Sequence, residues 1–165
     1  MQINSSDRSW VEIDLAAFRA NLHYLKSFLA PGQDFMQIVK ADAYGHGARE
    51  IAQTALTEGA VYLGVANLEE GKMLRIQGIN APILILSPSL QSEIPAILEY
   101  RLVPGVHELS FAQALSAQAG SAQKVHLKLD TGMHRSGVRI DEAIAMYDAI
   151  AKLPNIEIEG IFSHF

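Results

Sequence analysis

Residues 39–47 read Val-Lys-Ala-Asp-Ala-Tyr-Gly-His-Gly and close the apolar run Phe35-Met36-Gln37-Ile38-Val39. A lysine at the end of a buried strand is costly to keep charged. Its neutral amine is the nucleophile that a Schiff base with an aldehyde cofactor requires. Tyr44 follows four residues later, near enough to share a site, and its hydroxyl can donate to a phosphate oxygen. Gly45 and Gly47 bracket a tight strand-to-helix reversal; His46 between them reads as structural. A second block runs Lys128-Leu129-Asp130-Thr131-Gly132-Met133-His134-Arg135-Ser136-Gly137. Strand alternation puts Lys128 on one face with His126 and Asp130. A lysine pointing into a protein interior needs a compensating anion, and Arg135 cannot be that anion. The third block is Ile161-Phe162-Ser163-His164-Phe165, with a histidine at a strand end. Taken singly, each has an ordinary reading: Lys40 snorkelling to solvent, Tyr44 packed on the turn, Arg135 on a surface loop, His164 in a core. Their joint placement is what points to chemistry.

The elements that must position them alternate. Short apolar runs at Phe35–Lys40, Tyr62–Ala66, Ile83–Ser87, Leu102–Val106, Val125–Asp130 and Gly160–His164 suit parallel strands covered on both faces. Amphipathic stretches fill the gaps. Asp14 caps a helix with Leu15, Phe18, Leu22, Leu25 and Leu29 on its apolar stripe. Asn67 with Glu70 reads as a capping-box variant opening the helix 68–77. Gly120 ends a helix over 108–119. Asp141 opens another, with Ile144, Tyr147, Ile150 and Ala151 on one face and Pro154 as its stop. Repeated strand–helix units permit a (β/α)8 barrel or an open doubly wound sheet. No dinucleotide-type glycine fingerprint follows the first strand, which disfavours the sheet. Lys40, Arg135 and His164 all fall at or just beyond strand C-terminal ends, where barrel active sites gather. A barrel needs eight units and about 250 residues; six strands are countable here. The expected fold is therefore a TIM-type α/β barrel truncated to about six units. Residues 15–165 form that partial barrel, preceded by an N-terminal segment, 1–14, in which Trp10–Asp14 alternates like a strand.

Composition sets the outer bounds. The chain has 165 residues, 49% hydrophobic and 19% charged, which suits one globular domain. A formal net charge of −5 without a basic cluster argues against nucleic acid. No cysteine is present, so neither disulfides nor a thiolate metal site can form, and no metal is expected. Apolar runs are too short to span a bilayer, and the N-terminus lacks the apolar core of a signal peptide. A soluble cytoplasmic protein is the default expectation.

The Lys40–Gly47 segment resembles the cofactor-lysine motif of alanine racemases. The Lys128–Gly137 block is similar to that family's Lys-x-Asp-Thr-Gly-Met-x-Arg-x-Gly segment, with every fixed position present, and Ser163-His164-Phe165 resembles a third. The resemblance runs from Trp10 to Phe165 and corresponds to the first half of such an enzyme. It implies pyridoxal 5′-phosphate as cofactor and L- and D-alanine as substrates, interconverted by two-base proton transfer at Cα to supply peptidoglycan. Lys40 would be the cofactor lysine and one base, with Arg135 donating to the cofactor's phenolic oxygen and approaching the substrate carboxylate. Lys128 would be carbamylated and would orient Arg135. Tyr44, Leu86 and His164 would contact the phosphate, the cofactor ring and the network around the pyridine nitrogen. The second base, a tyrosine, would come from a C-terminal β-domain across a homodimer, and Trp10–Asp14 would pack with that domain. Three other readings remain open: a non-catalytic cofactor-binding or assembly fragment, a serine or broad-specificity racemase, and an amino-acid decarboxylase with the same fold and cofactor, whose related barrels do not usually carry the Asp130–Gly137 block.

Overall fold

The computed structural model describes residues 8–165. Helix α1 (Leu15–Lys26) leads into β1 (Met36–Ile38), the turn α2 (Lys40–Gly45), α3 (Ala48–Thr57), β2 (Tyr62–Val65) and α4 (Leu68–Ile76). Then come β3 (Ile83–Ile85), α5 (Ile94–Glu99), β4 (Val103–Val106), α6 (Leu109–Gln118) and β5 (Gln123–Asp130). The chain ends with β6 (Val138–Arg139), α7 (Ala143–Ala151) and β7 (Ile156–Phe162). Every strand pairing is parallel.

Strands β1 to β5 neighbour one another in chain order, β7 pairs with β5, and β6 adds a two-residue extension at the end of β5. Unbroken chain order is the singly wound arrangement of a barrel, not the strand reversal of a doubly wound sheet. Curvature is visible in one hydrogen bond: the Tyr62 hydroxyl on β2 donates to Glu159 on β7 at 2.7 Å. Along a flat sheet these strands would stand about 19 Å apart, four steps of about 4.8 Å. Among the described residues β1 and β7 do not pair, so the sheet is an open barrel arc.

Helices cover the convex face. Leu63, Val65, Ile83, Ile85, Val125 and Leu127 point outward and are buried against Ile51, Leu74, Ile97, Phe111, Leu115 and Ile150. Burying each such side chain is worth about 1.5–3 kcal/mol, which is why the strands read as nearly continuous apolar runs. The concave face mixes apolar side chains such as Met36, Leu84, Leu86 and Phe162 with the basic groups Lys40, His126, Lys128 and Arg135.

Several elements differ from the sequence expectation. The last expected strand, Gly160–His164, is β7 and runs from Ile156 to Phe162. Ile156 and Ile158 pack on the helical layer while Glu157 and Glu159 face away, and the two glutamates hide the strand from an apolar-run search. In α1 the Asp14 cap is present, accepting from Ala16 N at 2.8 Å and Ala17 N at 3.0 Å, yet Leu25 stays 61% exposed. Helix α7 starts at Ala143 with Glu142 at its N-cap, since Ile140–Glu142 form a 3-10 turn leading into it and Asp141 pairs with Arg139. Its buried residue is Ile150, while Ile144 is 78% exposed. Residues 8–14 form no strand and leave Trp10 and Val11 exposed. Residues 1–7, half of the expected N-terminal segment, lie outside the described residues. No helix among the described residues is long and apolar enough to cross a membrane.

Candidate functional site

Buried Val39 follows β1, its N–H bonding to Gly64 O at 2.8 Å, and the chain then reverses its hand. Ala41, Asp42, Ala43 and Tyr44 all lie near φ 50–53° and ψ 40–48°, a full left-handed turn built from L-residues. Each such residue costs roughly 1–2 kcal/mol, so the turn must be held from outside. Within it Ala43 N donates to Val39 O at 2.9 Å. Asp42 Oδ1 accepts from Ala48 N at 2.7 Å, capping α3. Gly45 and Gly47 follow at φ 85° and 84°, a region glycine enters without strain. The His46 ring bonds to Ala43 O at 2.9 Å, a structural role as expected.

A further clamp comes from α4. Asn67 accepts from Glu70 N at 3.1 Å, the first half of a capping box. The second half is absent, because Glu70 reaches elsewhere: Oε1 accepts from Ala41 N at 3.0 Å and Oε2 from Ala66 N at 2.8 Å. Lys40 emerges from this turn half-buried, and Tyr44 lies one turn on with its ring centroid 5.9 Å from Lys40 Nζ.

On β5 the buried lysine is Lys128, 6% exposed, with Nζ donating to Leu129 O at 2.7 Å and 5.5 Å from the Phe162 ring centre. Burial pushes its pKa down, Asp130 opposes that, and Arg135 adds to it. Asp130 turns to the loop that follows, where Oδ1 accepts from Gly132 N and His134 N, each at 3.0 Å. Those bonds, His134 first, hold its carboxyl below the usual carboxylate range. Gly137 closes the loop at φ 113°; a Cβ there would stand 2.9 Å from Asp130 N and Leu129 C.

Lys40, Leu86, Lys128, Arg135 and His164 line one cavity of about 680 Å³ on the concave face. Tyr44 does not line it and is 68% exposed. His126 and Phe162 complete its floor, and no carboxylate lines it. Below, Glu159 gathers Tyr62, Lys124 and His126, the last at 3.4 Å. Register between β5 and β7 slips there: Val125 pairs with Ile158 but His126 with Gly160. Glu159 is the bulged residue. Gly160 leaves room for the His126 ring, 2.8 Å from where a Cβ would sit.

Two further histidines stand near the cavity. His126 was legible as the alternate neighbour of Lys128. His107 stands one residue past β4, its two ring nitrogens buried, unpaired with any side chain and close to the Leu86 backbone. Burial, aided by the Lys128 charge, pushes its pKa down to about 4. A second cavity of about 500 Å³ behind α2 sets Asp42, Glu50, Glu69 and Glu70 against Arg49 alone in its lining, a net negative balance that disfavours anions. The concave cavity has the opposite character: a primary amine, a buried lysine and a guanidinium converge with no acid among them. That set suits an anionic ligand carrying a carbonyl for the amine to attack. Among the described residues no three His, Asp or Glu side chains group to hold a metal.

Residues 13–165 match the family described as alanine racemase, N-terminal domain. Alanine racemase of Desulfovibrio desulfuricans is 46% identical over 159 residues, covering 94% of this chain and 43% of that protein. The solved structure of alanine racemase from Clostridium difficile 630 superposes with a TM-score of 0.92 at 34% identity, over 98% of this chain and 44% of that one. A histidine racemase from Leuconostoc mesenteroides gives a TM-score of 0.82 at 26% identity, over 92% and 41%. The chain therefore spans less than half the length of these relatives.

Proposed function

The chain belongs to the alanine racemase N-terminal domain family, and from that premise we propose that it forms the lysine-bearing part of a pyridoxal-phosphate-dependent racemase interconverting L- and D-alanine. The observation that carries this reading is the meeting of Lys40, Leu86, Lys128, Arg135 and His164 around one cavity free of carboxylates. Its size and cationic lining fit a phosphorylated aldehyde, and the fit rests on that donor set. Bound pyridoxal phosphate would supply the electron-withdrawing conjugation that acidifies an amino acid's Cα–H.

The chain's own residues do the rest. Lys40 anchors the cofactor and moves the proton at Cα on one face. Arg135 donates to the cofactor's phenolic oxygen and to the substrate carboxylate, two oxygens that a planar guanidinium can serve together. Lys128 carries a carbamate that orients Arg135; a buried lysine with no acid lining its cavity gives that modification a physical reason. His164 joins the hydrogen bonds around the pyridine nitrogen, Leu86 packs on the ring, and the exposed Tyr44 hydroxyl reaches the phosphate. Trp10–Asp14 belongs to an N-terminal segment, 1–14, that packs with a C-terminal β-domain, and 15–165 is the barrel part. The second base is a tyrosine from the portion of the relatives beyond the matched span, delivered within a homodimer in the cytoplasm, with D-alanine supplied to peptidoglycan.

The test is to add pyridoxal phosphate to the purified chain, reduce with borohydride and map the label by mass spectrometry. Label concentrated on Lys40, and lost in Lys40→Ala, is the expected result. Label scattered over exposed lysines such as Lys152 would sink the assignment. A chiral assay with alanine on the full-length protein then reads the reaction. A different amino acid as substrate is the second reading, favoured by the superposition with a racemase that acts on histidine.

A further inference from the structure

We propose that Glu70 is a positioning residue for Lys40: by bridging the amides of Ala41 and Ala66, its carboxylate holds the left-handed turn that presents Lys40 to the concave cavity. The inference rests on the reading of Lys40 as the cofactor lysine and extends it to a residue on another helix. An ordinary capping-box glutamate serves the start of its own helix. Glu70 instead spans two strand ends, Ala41 just beyond β1 and Ala66 just beyond β2.

The Ala41 amide belongs to the same peptide plane as the Lys40 carbonyl. Fixing its N–H fixes ψ of Lys40 and φ of Ala41, which is 52°. If that peptide turned over, Ala41–Tyr44 could relax toward the ordinary right-handed region, and the Lys40 side chain would leave the cavity. The turn's other ties, from Val39 O to Ala43 N and from Asp42 to Gly47 N and Ala48 N, leave the Ala41 N–H itself to Glu70. Glu70 acts where the lysine is. A carboxylate is specifically suited, since two N–H donors need two acceptor oxygens and an amide side chain offers one. A shorter acid lacks the reach for both.

The experiment compares wild type, Glu70→Gln and Ile97→Val, a mild core change on α5 far from the cavity. Two quantities are read below all melting temperatures: the share of pyridoxyl label on Lys40 relative to exposed Lys152, and amide hydrogen exchange across residues 40–47 without cofactor. Glu70→Gln is expected to lower Lys40 selectivity and speed exchange by about tenfold, the consequence of leaving one N–H unpaired. Ile97→Val should leave both unchanged. If Glu70→Gln behaves like Ile97→Val in both, the proposal is overturned. Should the glutamine variant not fold, Glu70→Asp is read in the same way, with a smaller shift expected. If wild-type Lys40 takes no label, the cofactor-lysine reading fails; exchange then decides alone whether Glu70 holds the turn.

Discussion

At the level of single residues, His107 makes a pH prediction. Its pKa in the folded protein is pushed down to about 4, whereas an unfolded histidine titrates near about 6.5. Between those values the unfolded chain binds the proton and the folded one does not. The contribution is therefore fully present above about pH 6.5 and lost as pH falls toward 4. Urea midpoints at pH 7 and 4.5 should differ less in His107→Gln than in wild type; equal differences would refute the assignment. Legibility at this scale followed chemistry. Lys40, Lys128, Arg135 and His164 stood out because unusual residue types sat at strand ends. Glu70 was visible but misjudged, because sequence proximity suggested its own helix start and could not reveal an amide 29 residues away. His107 carried no motif at all.

At the level of elements, the left-handed turn inverts the usual rule for alanine and glycine. In α1, Ala20→Gly should cost about 1 kcal/mol, as in any exposed helix interior. At Ala41, with φ at 52°, glycine escapes the handedness penalty. Ala41→Gly should therefore be neutral or stabilising by up to about 1 kcal/mol, measured by urea unfolding; a loss like that at Ala20 would contradict the geometry. The loop after β5 predicts the reverse. Gly137→Ala places a Cβ in a left-handed residue against Asp130 N and Leu129 C. It should cost about 1–3 kcal/mol and shift Arg135, read as weaker binding of pyridoxal phosphate. The alternation of parallel strands with helices was legible from the apolar runs, whereas only four of the seven helices were named and the short β6 was not. The handedness of the turn was not, since Ala-Asp-Ala-Tyr carries no glycine to announce it; only its tertiary ties force it. The start of β7 was hidden because Glu157 and Glu159 break the apolar run.

At the level of the whole molecule, the arc is bound across its concave side by the Glu159 cluster. Burial, then the bond to Glu159, raises the Tyr62 pKa above its ordinary range, so this contact is a neutral phenol donating to a carboxylate. Burial works against the charge on Glu159, yet bonds from Lys124, Tyr62 and His126 leave its pKa lowered. Tyr62→Phe should lose about 0.5–1.5 kcal/mol, with Lys124 and His126 still on the carboxylate; an unchanged urea midpoint would show that the contact contributes nothing. Barrel curvature was expected from topology, but the bond that expresses it was not, because its partners lie 97 residues apart. That separation has a consequence in time. From β1 to β5 and β7, adjacent parallel strands are joined by segments of only 16 to 25 residues, whereas the Tyr62–Glu159 contact must wait for every strand between them. Long loops close slowly and late. Cavity floor and cationic walls thus come into register at the end of folding, and a nascent chain displays its lysines to the surrounding solution well before it can discriminate among them.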